Sequence, residues 1–317
     1  MTAFTERFAD GLYGLGWATV KRLPASTAYR LGDQIAYRTW RRRGQGVRQL
    51  EANLARVVDD PTPERLAELS RQGLRSYLRY WMESFRLPVW TPEEIGEHVT
   101  ILDSHHLTDG IASDRGVILA LPHMANYDLA GAWLTRHLGT PFTTVVERLR
   151  PESLYDRFVA YRTGLGMEVL PHSGGRALAT LAARLRAGGL VCLVADRDLS
   201  AAGGTVDFFG QPARMPSGPA QLALRTGALL LPVTLWYEAA PAMVARVHPP
   251  VEPPTPSAPS SKGGRAEQAA AMTQTLADTF ARGIAQHPTD WHMLQPVWEA
   301  DLASPRVEPD HPGRAGV

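Results

Sequence analysis

The stretch GVILALPHMANYDLAG, residues 116–131, sets five apolar residues between Gly116 and the pair Pro122-His123. A short, fully apolar run bounded by glycine and proline reads as a strand covered on both faces. Further runs of the same texture follow: FTTVVE, MEVLP, LVCLVAD and ALLLPVTLW. Amphipathic stretches separate them. This alternation predicts an α/β fold, a central mostly parallel or mixed sheet flanked by helices, over residues 99–302. An N-terminal helical region, residues 1–98, precedes it as part of the same globular unit. Residues 303–317, SPRVEPDHPGRAGV with its preceding alanine, read as a flexible C-terminal tail. The stretch PPTPSAPSSKGGR, Pro253 to Arg265, reads as a flexible loop.

His123 follows the predicted strand at its carboxyl end, where open α/β sheets present their sites, and Asp128 stands five residues on. A carboxylate beside an imidazole fixes the tautomer with the far nitrogen bare, so such a pair can deprotonate a hydroxyl. The alternative is two polar residues at an ordinary strand-to-helix turn. Other signatures are missing: no Gly-x-Ser-x-Gly elbow, no P-loop, no His-Glu-x-x-His and no complete Gly-x-Gly-x-x-Gly. His105, His106 and His172 lack partners at metal spacing, so no metal site is expected.

The segment TPERLAELSRQGLRSYLRYWMESFRLP predicts a long helix, capped by Thr62, opened by Pro63 and ended by Pro88. Arg71, Arg75 and Arg79 fall on one stripe of it, either a solvated face or a contact for lipid phosphates. Nearer the N-terminus, Phe4, Phe8, Leu12, Leu15 and Val20 recur at roughly helical spacing with Trp17, followed by Lys21-Arg22 and Arg41-Arg42-Arg43. That pattern suits either a helix packed on its own domain or one lying on an anionic membrane surface.

With 317 residues and a net charge of +1, the chain can bury a sizeable core and lacks the basic excess of a general nucleic-acid binder. Lys21 and Lys262 are its only lysines, so positive charge is almost all arginine. The single Cys192 excludes an internal disulfide and, within an apolar run, reads as inert core. No apolar stretch is long enough to span a bilayer and no signal-peptide order is present, which predicts a protein on the cytoplasmic side. Oligomeric state is not readable.

A histidine, four residues and an acid after an apolar strand resemble the motif of the glycerolipid acyltransferases and of the lauroyltransferase family of lipid A assembly. The blocks LRSYLRYWMESFRLP, VVERLRPESLYDRFVAYRTGLGMEVLP, VDFFGQPARMPSGPAQLALRTGALLLPV and DWHMLQP are similar to the phosphatidylinositol mannoside acyltransferases of actinobacteria. The similarity runs from about residue 47 to Leu302.

The resemblance implies transfer of a palmitoyl-like group from acyl-coenzyme A, a substrate and not a resident cofactor, to the 6-hydroxyl of a mannose on a phosphatidylinositol mannoside. It places the enzyme peripherally on the cytoplasmic face of the plasma membrane. It makes His123 the general base and Asp128 its partner, and it implies an acidic residue at Asp196, where the family more often has glutamate. Met124-Ala125 and Tyr127 also depart from the usual motif. Attack on a thioester creates an oxyanion that needs donors aimed at it. Arg162 and Arg197 are candidates for that role or for a phosphate, with structural ion pairing as the alternative. Arg214 with Ser217 could meet the inositol phosphate at a helix start, or form a turn. His292 could contact the coenzyme A arm, or be a buried anchor beside Trp291. The rival readings are an acyltransferase with another acceptor, such as a lysophospholipid or lipid A precursor, and a non-catalytic lipid-binding protein.

Overall fold

The computed structural model describes residues 19–147, 152–171, 175–198, 203–255 and 262–302. Phe4, Phe8, Leu12, Leu15, Trp17, His172 and the tail 303–317 lie outside them. Among the described residues, the helices α1 (Ala25–Arg41), α2 (Gln45–Val57) and α3 (Pro63–Arg86) precede the sheet. The start of α3 is the predicted one, with Thr62 Oγ1 accepting the Arg65 N–H at 3.3 Å. Pro92 opens α4 (Pro92–His98) under a capping box in which Thr91 and Glu94 satisfy each other's backbone donors.

Nine strands follow among the described residues. β1 (Val99–Leu102), β2 (Val117–Leu121), β3 (Phe142–Val146), β4 (Glu168–Pro171), β5 (Leu190–Val194), β8 (Leu229–Tyr237) and β9 (Met243–Val247) form one sheet in the order β1-β9-β8-β2-β5-β3-β4. Every pairing in it is parallel except β8 with β9. β6 (Gly204–Phe208) and β7 (Gln211–Met215) make a separate antiparallel hairpin. The apolar runs thus became β2, β3, β4, β5 and β8, and the expected mostly parallel, mixed sheet is present. Central β2 is buried along its whole length. Gly116 enters it at φ +75°, where a Cβ would collide with the Leu185 carbonyl.

Helices cover the sheet. α5 (His105–Ala112) and α9 (Gly218–Thr226) pack on β2 and β8, α8 (Gly175–Arg186) packs on β5 and β3, and α10 (Lys262–Gln286) packs on β8. The beginning of α10 corrects the loop expected over Pro253–Arg265: from Lys262 the chain is helical. Between β2 and β3 lies the short α6 (Tyr127–Ala132), and between β3 and β4 lies α7 (Glu152–Gly164). After α10 the chain crosses back over the carboxyl ends of β2 and β5. There Met124 bridges to Trp291, and the Asn53 side chain of α2 donates to the carbonyls of Met293 and Gln295.

Candidate active site

Strand pairing builds the site. In the parallel register of β2 with β5, Leu121 stands opposite Val194. Two residues further along each chain come His123 and Asp196, side by side. His123 Nδ1 lies 2.6 Å from Asp196 Oδ1, and the His123 backbone N–H donates to Asp196 Oδ2 at 2.9 Å. Trp291 Nε1 also donates to that oxygen, at 2.9 Å. Burial alone would raise the Asp196 pKa, but the His123 charge and these hydrogen bonds bring it below the ordinary carboxylate value. The carboxylate therefore takes the Nδ1 proton in a hydrogen bond and leaves Nε2 bare. The His123 side chain is 31% exposed, against 0% for Asp196. Nε2 has no hydrogen-bond partner among the described residues.

Asp128 is elsewhere occupied, which corrects the expected pairing. Arg162 Nε on α7 donates to its Oδ1 at 2.8 Å, and Tyr80 of α3 donates to its Oδ2 at 2.9 Å. A residue one place into a helix turns away from the strand end; Asp196, leaving a neighbouring strand, does not. Asp128 thus clamps α6 to α3 and α7. Arg162 makes this ion pair, and its guanidinium lies 5.8 Å from the ring of Tyr127. Tyr127 in turn packs edge-on to His123, ring centroids 5.9 Å apart.

Arg197, next to Asp196, is mostly buried and reaches Glu147 only at 3.3 Å. Burial lowers its pKa from the usual arginine value. Arg214 sits on β7 against Thr205 Oγ1 at 3.4 Å and Glu299 at 3.8 Å. Ser217 Oγ accepts from Gln221 at 2.8 Å, one turn into α9.

His292 is buried. Its N–H donates to the His123 carbonyl at 2.8 Å. Ser76 Oγ donates to Asp290 at 2.7 Å and so accepts His292 Nε2–H at 2.8 Å. Serine lies between acid and histidine, an order unlike a hydrolase triad. Tyr77 and Tyr80 pack around the ring. Burial, with the His123 charge adding, pushes His292 down to about 3 from an ordinary 6.5. Between those values the unfolded chain binds a proton that the folded protein lacks. This group's contribution is whole above about pH 6.5 and is lost at roughly 1.4 kcal/mol per pH unit on acidification toward pH 3. Melting temperature should accordingly fall more steeply over that window in the wild type than in His292→Gln; equal slopes would contradict the assignment.

An apolar cavity with about 580 Å³ of empty space, part of it open to solvent, runs below this constellation. Leu121 and Val194, the last residues of β2 and β5, line it with Leu134, Phe142, Leu235 and, at one side, Tyr127. Cys192 is part of the wall, its thiol pKa pushed up by burial, in keeping with an inert residue. The sequence offers no signal for Tyr80 as a support of the site and marks Trp291 only as a neighbour of His292.

Residues 2–300 match the model of the bacterial lipid A biosynthesis acyltransferases. The chain belongs to that family. It is 46% identical over 296 residues, 93% of this chain and 92% of the relative, to the phosphatidylinositol mannoside acyltransferase of Mycolicibacterium smegmatis. A protein of the same name from Mycobacterium tuberculosis is 45% identical over 309 residues, 96% of this chain and 93% of that one. The crystal structure of the 1-acyl-sn-glycerophosphate acyltransferase PlsC from Thermotoga maritima is a loose likeness, with a TM-score of 0.33 and 17% identity over 66% of this chain and 86% of that chain. As a member of that family the chain is an acyltransferase.

Proposed function

We propose that the protein moves a palmitoyl-like group from acyl-coenzyme A to the 6-hydroxyl of a mannose of a phosphatidylinositol mannoside, with His123 as general base. The observation that carries this reading is a bare nitrogen on a partly exposed imidazole, held by a buried carboxylate close to a cavity with an apolar lining. The names of the relatives support the acceptor.

A sugar hydroxyl does not ionise at neutral pH, so the base must take its proton as attack proceeds. The mannose oxygen bonds to the thioester carbon, its proton passes to His123 Nε2, the C–S bond breaks, and the proton goes on to the departing thiolate. Asp196 steadies the imidazolium in between. Arg197, loosely held by Glu147, is the cation beside the developing oxyanion or the coenzyme A phosphates. Lining the cavity with the acyl chain would contribute roughly 0.8 kcal/mol per buried methylene.

The acceptor stays in a bilayer, so the enzyme docks on it. Among the described residues no helix is long and apolar enough to cross a membrane. Val20, part of the expected lipid-facing pattern, is buried against Ala28 and Met82. Arg71, Arg75 and Arg79 are all engaged in ion pairs, with Glu68, Asp33 and Glu83. The surface that suits an anionic leaflet is α1, where Leu31, Ile35 and Tyr37 are exposed beside Arg38, Arg41 and Arg42.

One assay tests acceptor and docking together. Labelled palmitoyl-coenzyme A is offered with phosphatidylinositol mannosides, a lysophospholipid or a lipid A precursor, each in anionic vesicles or in detergent. Transfer to the mannoside alone is expected, and salt should slow it in vesicles but not in detergent, because exposed charges are screened over about 8–10 Å. Preferred labelling of a lysophospholipid would overturn the acceptor, and salt-indifferent vesicle turnover the docking surface.

A further inference from the structure

Between His123 and Asp128 stands Asn126, fully buried. Its Oδ1 accepts the Leu129 N–H at 2.9 Å and its Nδ2 donates to Glu83 Oε2 on α3 at 3.1 Å. Glu83 is fully buried too. Its other oxygen takes Arg79 Nε at 2.6 Å and the Tyr29 hydroxyl of α1 at 3.2 Å. Arg79 continues the chain of contacts: it donates to the carbonyls of Glu238 and Ala242 beyond β8, and lies over the Tyr237 ring at 3.8 Å. The titratable groups that share an electrostatic interaction with Glu83 are Arg79 of α3, Tyr29 of α1, Tyr237 of β8 and His98 of α4.

The turn that Asn126 closes is a strained one. Ala125 has φ +45°, a left-handed conformation that an L residue with a Cβ leaves when it is free to do so. The entry to the turn is fixed by Asp196 on the His123 N–H, by His292 on the His123 carbonyl, and by the Asp290 carbonyl on the Ala125 N–H. Its exit is fixed by the Asn126 side chain. If that anchor slackens, Ala125 relaxes and the imidazole swings away from Asp196.

We propose that Glu83, acting through Asn126, is a positioning residue for acyl transfer that holds the His123 turn in its strained form. The inference rests on His123 being the base, as proposed above. It gives the N-terminal helices a part in the chemistry, because the anchoring carboxylate comes from α3 and not from the sheet.

Reversing the polarity of the bond tests it. Asn126→Asp keeps the cap on Leu129 but sets a carboxylate against Glu83. Turnover should fall by about 10- to 100-fold, with KM for palmitoyl-coenzyme A little changed, as expected for sub-ångström misplacement of a reacting group. Relative to wild type, the loss should shrink toward lower pH, where a proton shared between the two carboxyls restores the contact. In Glu83→Gln/Asn126→Asp the glutamine amide donates to the new carboxylate while its oxygen still accepts from Arg79, and turnover should return to within about fivefold of wild type. Should the double variant not fold, Ala125→Gly in an Asn126→Ala background gives a second reading, since glycine holds the turn without strain and should recover part of the lost turnover. Wild-type turnover in Asn126→Asp, or folded rescue variants no faster than their parents, would overturn the positioning role. An inactive wild-type protein in the same assay would instead count against acyl transfer itself.

Discussion

His123→Ala is expected to fold like the wild type and to lose acyl transfer by roughly 10²–10⁴-fold, the usual worth of a positioned base. The ring is partly exposed at a strand end and its side-chain bonds are few, one to Asp196 and an edge contact with Tyr127, so its removal opens no core cavity. Asp196 keeps two donors, the backbone N–H at 123 and Trp291 Nε1, and is not left as an unpaired buried charge. The loss should fall on kcat, with KM for acyl-coenzyme A nearly constant, because the proton moves only as the transition state forms. Near wild-type turnover in the folded variant would remove the base from the mechanism.

Asp196→Asn should be nearly as damaging, about 10²–10⁴-fold in kcat, for a reason that the geometry makes specific. Oδ2 accepts two N–H groups, so the asparagine oxygen must remain there and the new amide NH₂ must face His123 Nδ1. A donor facing Nδ1 forces the imidazole proton onto Nε2, the atom that has to be bare. The variant holds the ring in place but in the wrong tautomer. Asp128→Asn makes the contrast: it strips a buried arginine of its counter-charge, so its main effect is on stability, up to roughly 3–5 kcal/mol, and not on the tautomer. Equal kinetic losses for Asp196→Asn and Asp128→Asn, at equal stability, would show that the assignment of partners is wrong.

These two carboxylates mark where sequence reading succeeds and where it stops. The apolar runs of β2 and β5 are legible because a strand covered on both faces has no polar positions to blur it, and β8 carries only Thr234 within its buried run. The long α3 is legible from Thr62, Pro63 and Pro88, whose backbone chemistry punctuates a helix. β1 and β9 are not: VTIL has four residues, and the arginine of MVARV breaks its run. The β6–β7 hairpin turns through Phe209 and Gly210, both at positive φ, and phenylalanine gives no hint of that conformation. His123 could be picked out by its place after a strand. Its partner is reached only through the family resemblance, which implies an acid at Asp196; spacing along the chain favours Asp128, while the pairing of β2 with β5 delivers a residue 73 positions away. Glu83 could not be picked out, being a glutamate on a helix like many others until the fold buries it against Asn126.

Direct, base-catalysed transfer from coenzyme A to the glycolipid passes through no acylated protein. Mass spectrometry of one reaction mixture, containing purified protein, palmitoyl-coenzyme A and a phosphatidylinositol mannoside, follows the lipid, the free thiol and the intact protein together. One palmitoyl group gained by the glycolipid for each coenzyme A released is expected, with the protein mass unchanged throughout. A palmitoylated protein that passes its acyl group on to the glycolipid, or thiol release without acylated glycolipid, would contradict direct transfer.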